Sequence, residues 1–305
     1  MDEDRRRRNM EVPRVPVDIV IDTDAYNEID DQFAIAYALR SPEKITVRAL
    51  YAAPFTNERS EGPADGMEKS RREILKLLDL AGCRGKYPVF GGAERYLPDE
   101  QTPVLSPAVQ DLVKRAGAYT ADHPLYVVSI GAITNIASAL LTAPEIAESI
   151  VIIWLGGNAL HWPDNREFNC SQDVAAARVV LGSGAPLILL PCMGVVSAFT
   201  TTGPELEHWL RGKNPLCDYL VDNTVAAAEE YAAGQVWSRV IWDVTAIGWL
   251  LNGDHRLMED RLVPTPIPEY DHHYSVDPTR PFCKMVWQIH RDALFADLFA
   301  RLSAG

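Results

Sequence analysis

The stretch VDIVIDTDAYNEIDDQFAIAYALRS, residues 17–41, decides how the chain folds. Its opening, VDIVID (17–22), is apolar and β-branched without period-two alternation, as in a strand buried on both faces. Its close, DDQFAIAYALRS (30–41), has the composition of a helix opened by carboxylates, which the N-terminal end of a helix dipole favours. Between Ile21 and Gln32 stand five acidic residues, four of them aspartates. A strand that ends in charge and turns straight into a helix is the unit of an open α/β sheet, where ligands bind outside the carboxyl ends of the strands.

The same alternation continues outward. ITVRALYAA (45–53), YPVFGG (87–92), LYVVSIG (125–131), SIVIIWLGG (149–157) and PLILLP (186–191) predict strands. GMEKSRREILKLLDLAG (66–82) predicts an amphipathic helix stopped by Gly82. Further helices are expected over 134–143, 174–184, 204–212 and 216–234. The fold class is therefore α/β, an open and mostly parallel sheet with helices on both faces. Residues 15–305 are expected to form a single domain, preceded by a flexible charged tail over 1–14. The Pro-rich stretch 263–281 predicts a long loop lying over a site.

Composition narrows the function classes. A formal net charge of -13 argues against a nucleic-acid partner, since phosphate backbones attract basic surfaces. The five cysteines are odd in number, widely spaced and lack a C-x-x-C, which suggests reduced thiols in a cytoplasmic protein without a zinc site. The start has no apolar core of a signal peptide. The weakly polar run 125–143 is broken by Gly131, Thr134 and Asn135, so it suits a strand, a turn and a helix better than a membrane span.

Asp22 and Asp24 sit at a strand end, and Asp30 and Asp31 open the next helix. Held together without compensation, these carboxylates repel and raise one another's pKa values. A hard divalent cation removes the conflict, and calcium takes six to eight oxygen ligands. Water on such a cation has a lowered pKa, and Asp24 is placed to take its proton. The plainer alternative makes Asp30 and Asp31 helix caps and leaves the others solvated.

The pattern D-x-D at a strand end followed by D-D at a helix start resembles the signature of the nucleoside hydrolase family, the inosine–uridine-preferring type. Asp22-Thr23-Asp24 and Asp30-Asp31 match its two halves. EKSRREILKLLDLAG, YPVFGGAERYL, GAITNIASAL, LGGN with EFNCSQDVAAARVVL, and IWDVTAIG resemble its later segments, in the family's order. The resemblance implies a Rossmann-like fold and calcium-dependent hydrolysis of the N-glycosidic bond of ribonucleosides. It implies calcium on Asp24, Asp31, the Thr134 carbonyl and Asp243, and Asp24 as general base. It places Asp30 on the ribose 2′-hydroxyl and Glu167 and Asn169 on the other hydroxyls, with Asn57 as a further ribose ligand and either Asn158 or, in its place, His161 as another. It also implies a homodimer or homotetramer.

Three departures bear on the base. AYNEI (25–29) replaces a shorter Pro-Gly turn, the family's H-G-x-x-G-L-G segment is absent, and Trp242 stands where pyrimidine-preferring members often carry a histidine. An indole at 242 favours stacking on a purine. Two other readings fit parts of the chain: a calcium-stabilised sugar-binding module without turnover, and a magnesium-dependent phosphatase of the haloacid dehalogenase type, which accounts for D-x-D but not for Asp30-Asp31 or EFN.

Overall fold

The computed structural model describes residues 2–304. Twelve strands are formed among them. β1 (Val17–Thr23), β2 (Ile45–Ala52), β3 (Val89–Gly91), β4 (Leu125–Ser129), β5 (Ile150–Leu155) and β6 (Leu187–Leu190) come first. The short β7 (Thr200–Thr201) and β8 (Arg239–Val240) pair with each other. β9 (Met258–Pro264), β10 (Ile267–Pro268), β11 (Tyr274–Ser275) and β12 (Phe282–Ile289) follow. The helices are α1 (Glu3–Asn9), α2 (Asp31–Leu39), α3 (Pro63–Leu80), α4 (Pro107–Ala116), α5 (Thr134–Thr142) and α6 (Phe168–Gln172), then α7 (Val174–Gly182), α8 (Gly203–Leu210), α9 (Pro215–Ala232), α10 (Val244–Leu250) and α11 (Arg291–Ser303).

Eight strands form one sheet in the order β3-β2-β1-β4-β5-β6-β12-β9. All its pairs are parallel except β12 with β9. The chain leaves β1 toward β2 and β3, then returns to lay β4 on the other side of β1. The strand order thus reverses between β1 and β4, and a crevice opens at such a switch point above the carboxyl ends. β1 alternates between the sheet's two faces. Ile19 and Ile21 join the core that holds Phe33, Ile74, Leu220, Ile247 and Leu298, whereas Val20 joins the core of Val109, Ile136 and Val180. A one-residue slip of β1 would exchange those faces. Burying one such side chain is worth roughly 1.5–3 kcal/mol, so the core fixes where β1 ends and Asp24 begins.

Two expectations are corrected here. The acidic-basic start is not a loose tail. Asp2 caps α1 by accepting from the Arg5 amide at 2.8 Å, and acidic residues open the helix while arginines close it, as the helix dipole favours. Arg6 is buried, with Nε on the Gly184 carbonyl at 2.9 Å, Nη2 on Ala185 at 3.2 Å and Nη1 on Phe282. The Pro-rich stretch is not one long loop either. It completes β9, forms the β10–β11 hairpin and runs into β12. It does lie against the segment after β5: Asn165 donates its amide to the His272 carbonyl at 2.6 Å. Among the described residues no helix is long and apolar enough to cross a membrane.

Candidate active site

The site grows from the turn between β1 and α2. Asp24 follows β1, and the Asn27 amide closes a tight turn onto its carbonyl at 2.7 Å. Gln32, in the first turn of α2, donates Nε2 to the Ala25 carbonyl at 2.6 Å and to the Glu28 carbonyl at 3.3 Å. These bonds tie AYNEI back onto the helix, so the longer turn is built into the wall of the crevice. Gly131, just beyond β4, leaves room for Asp24: a Cβ there would stand 3.0 Å from Asp24 Oδ1. Helix α10 packs on α2 and brings Asp243 to the same point, its amide donating to Asp30 Oδ2 at 3.4 Å.

Carboxylate oxygens of Asp30, Asp31 and Asp243 lie within 4.8 Å of one another, and all three residues are buried. Asp24 lines the same cavity. Its Oδ2 is buried and has no hydrogen-bond partner. Burial, then the charges of Asp31 and Asp30, push the Asp24 carboxyl well above the usual carboxylate range. Asp243 is raised likewise by burial and by Asp30, Asp31 and Asp24. Burial pushes Asp31 up to about 7, although the Thr23 hydroxyl donates to it. Four buried carboxylates, one with an orphaned oxygen, fit a hard cation with oxygen ligands, because buried like charges need compensation.

Asp22 stands apart from the cavity. It accepts from Asn135 Nδ2 at 2.7 Å and from Ser129 Oγ at 3.3 Å, and Asn135 accepts in turn from the Ala93 amide at 2.8 Å. It therefore braces β1 against β4 and α5 rather than facing a ligand.

The opposite wall follows β5. Gly157, at φ +71°, turns the chain, and a Cβ there would strike the Tyr274 hydroxyl at 2.0 Å. Glu167 caps α6: Oε2 accepts from the Gly157 amide at 2.7 Å and the Cys170 amide at 2.9 Å, and Oε1 from the Asn169 amide at 2.8 Å. Oε1 keeps acceptor capacity for a hydroxyl. Asn169 donates to the Leu155 carbonyl at 3.1 Å, which leaves its Oδ1 available. Asn158 spends both ends of its amide, donating to the Asp164 carbonyl and accepting from the Met193 amide, each at 3.1 Å. All three line the cavity, as does Trp242, which is half-buried.

Two of the expected residues lie elsewhere. Thr134 is fully buried in α5, its hydroxyl donating to Asp173 at 2.7 Å, and it does not line the cavity. Ile130, directly after β4, does. The rule that strands end at the ligand points to Ile130 once β4 is registered against β1, through the Ile130 amide on the Asp22 carbonyl at 2.8 Å. Asn57 also stays outside the cavity. It holds Asn27, which lines it, through a 2.6 Å bond between the two side-chain amides. His161 is exposed and not part of the lining, whereas Glu28 and Arg166 are. The enclosed volume is about 220 Å³. That is small beside the roughly 300–1,000 Å³ of drug-sized ligand sites, and suits a sugar ring with its base toward the mouth.

Comparison with known proteins agrees with this geometry. The pyrimidine-specific ribonucleoside hydrolase RihA of Enterobacter sp. (strain 638) is 25% identical over 315 residues, covering 92% of this chain and 96% of the relative. A plant nucleoside hydrolase, PpNRh1, superposes with a TM-score of 0.73 at 22% identity, over 95% of this chain and all of the other. A purine-preferring ribonucleoside hydrolase from Gardnerella vaginalis gives 0.72 at 23% identity, over 94% and 98%. The profile of the inosine-uridine preferring nucleoside hydrolases matches residues 19–280, so the chain belongs to that family and is a hydrolase of N-glycosyl compounds.

Proposed function

We propose that this protein hydrolyses the N-glycosidic bond of ribonucleosides, giving ribose and a free nucleobase, in a calcium-dependent reaction. The observation that carries the reading is the convergence of Asp24, Asp30, Asp31 and Asp243 on one cavity, with Asp24 Oδ2 unpaired. Asp31, Asp243 and Asp24 would hold the cation, with Ile130 at the strand end where a backbone carbonyl is needed. A calcium ion bound there lowers the pKa of a coordinated water and orders the vicinal diol of the sugar.

The chain's own residues do the rest. Asp30 accepts from the 2′-hydroxyl, and Glu167 Oε1 and Asn169 Oδ1 accept from the other hydroxyls. Asp24 takes the proton of the attacking water as its oxygen bonds to C1′, where the transition state has oxocarbenium character. Closely spaced donors and acceptors on both walls hold C1′ near the acidic end, which is the entropic share of the catalysis.

For the base, the curated relative named above is pyrimidine-specific and one solved relative is purine-preferring. Trp242 packs against the core on one side and lines the cavity on the other. An indole face offers a purine more stacking area than a pyrimidine, and we assign the preference to purines on that ground. Assembly into a homodimer or homotetramer is carried by the resemblance alone.

Base release from inosine and uridine, measured by steady-state kinetics with calcium and with chelator, tests the proposal. Turnover that disappears on chelation and returns with calcium, and a higher kcat/KM for inosine that narrows in Trp242→Phe, are expected. Ribose binding without turnover of either nucleoside would leave a sugar-binding module. A clear advantage for uridine would remove the stacking role.

A further inference from the structure

The acidic cavity has a single cation in its wall. Six carboxylate side chains line it, and Arg166 is the only lysine or arginine among the described residues that does so. Arg166 is exposed, and its side chain has no ion-pair or hydrogen-bond partner among the described residues. Arginines nearby are engaged: Arg239 donates to Glu28 at 2.7 Å, and Arg59 lies 3.8 Å from Glu230. A guanidinium presents five donors in a rigid fork that matches a phosphate bidentately, and on Arg166 the whole fork is free.

The backbone that carries Arg166 is pinned on both sides. Its own amide donates to Asp164 Oδ1 at 2.9 Å, which turns that carboxylate to the main chain. Asn165 is buried, its amide donating to the His272 carbonyl at 2.6 Å and its Oδ1 accepting from the Asn158 amide at 2.7 Å. Glu167, the next residue, accepts from three amides. The stereochemistry of a β-ribonucleoside says what would meet the guanidinium. The 2′- and 3′-hydroxyls share one face of the sugar ring, and the base and C5′ share the other. With the diol at the carboxylates, the base and C5′ both point to the mouth. Trp242, beside Asp243, takes the base. C5′ then falls to the other wall, where Glu167 and Asn169 accept the remaining hydroxyls and Arg166 precedes Glu167. The enclosed volume of about 220 Å³ holds the sugar, so a group on the 5′-oxygen lies at the mouth, where Arg166 is exposed.

We infer that the protein also hydrolyses nucleoside 5′-monophosphates, with Arg166 holding the 5′-phosphate at the mouth of the cavity. This rests on the hydrolase reading above. The products are ribose 5-phosphate and free base. Water oxygen bonds to C1′, the C1′–N pair moves onto the base, the water proton goes to Asp24, and the base takes a proton from solvent. No bond to phosphorus forms or breaks. A phosphate brings negative charge to an acidic cavity, which a nucleoside does not, so it needs an opposing charge on the wall it meets. Glu167 repels it, but that carboxylate is already held by its three amides, and the Arg166 fork supplies charge-assisted, bidentate bonds. The phosphate lies away from C1′, so its binding energy is equal in ground and transition states and belongs in KM.

The test compares inosine with inosine 5′-monophosphate in wild type, Arg166→Gln and Arg166→Lys, by steady-state kinetics with calcium. Wild type should cleave the monophosphate with a kcat/KM at least equal to that for inosine. A hydrogen bond to a charged group is worth roughly 10- to 100-fold, so Arg166→Gln should lose that factor on the monophosphate, chiefly through KM. Its loss on inosine should stay under about threefold, which also shows that the variant is folded and loaded. Arg166→Lys should recover part of the loss, since it keeps the charge without the fork. Calorimetry gives a reading that needs no turnover: ribose 5-phosphate should bind roughly tenfold or more tightly than ribose, and Arg166→Gln should remove the difference. Equal affinities for the two sugars in wild type, equal losses in Arg166→Gln on both substrates, or no loss on either would overturn the proposal while leaving the hydrolase reading intact. A wild type that turns over neither substrate would overturn both.

Discussion

At the scale of single residues, Asp24 is the most exacting position in the molecule. Its two oxygens are in different situations. Oδ1 is the atom nearest the space that Gly131 leaves open, whereas Oδ2 is buried without a partner. Burial and the charges of Asp31 and Asp30 raise its pKa, so the free carboxylate is a stronger proton acceptor than an exposed aspartate. Asp24→Asn keeps the shape and removes the acceptor. A general base contributes about 10²–10⁴-fold, so kcat should fall by at least about 10²-fold. With the metal chelated, the melting temperature should not fall, because the substitution relieves like-charge repulsion in a buried cluster. Turnover near the wild-type rate would move the base to another carboxylate, with Glu28 next in line on the cavity wall.

At the scale of elements, α1 shows how a surface-looking segment becomes structural. Four consecutive arginines stand at 5–8, and only Arg6 is buried, its guanidinium fork spanning carbonyls at the start of β6 and at β12. Hydrogen bonds from a charged donor are worth roughly 1.5–3 kcal/mol each when a partner is removed. Arg6→Ala should therefore lower the melting temperature by several degrees, at about 2 °C per kcal/mol for a chain of this size, while Arg8→Ala should not. Equal small effects would mean that α1 contributes nothing to the stability of the sheet. The same element explains what was legible from sequence. The β1 turn, the parallel strands and the two-sided helices were readable because apolar runs and charged strand ends carry their own periodicity. α1 was not, because a helix made of charged residues has no apolar stripe, and nothing local marks which arginine finds carbonyls far along the chain. The site divides the same way. Asp24, Asp30, Asp31, Asp243, Glu167 and Asn169 announce themselves as charge or amide beside apolar runs. Ile130 would act through its backbone at a strand end, so its side chain signals no role.

At the scale of the whole molecule, the fold has gathered acidic groups where it is otherwise most apolar, and its stability must depend on what neutralises them. In the metal-free protein, burial holds Asp22 and Asp31 at about 7, far above their value in an unfolded chain. The folded state then binds more protons than the unfolded one between about pH 4 and 7. Their contribution is complete below about pH 4 and is lost as pH rises through about 7. A cation that takes the protons' place in the site reverses this dependence, because protons compete with it at low pH and vanish as rivals at high pH. The gain from a ligand that binds only the folded state is about 2.7 kcal/mol at 100 times its dissociation constant. Thermal melts with calcium and with chelator, taken from pH 5 to pH 8, should therefore diverge as pH rises. The difference in melting temperature should be small at pH 5 and reach about 5 °C at pH 8. Asp243→Asn, which removes one of the three carboxylates whose oxygens converge, should flatten the calcium curve onto the chelated one. A calcium shift that is constant across the range, or largest at pH 5, would show that the buried carboxylates are not where the cation binds.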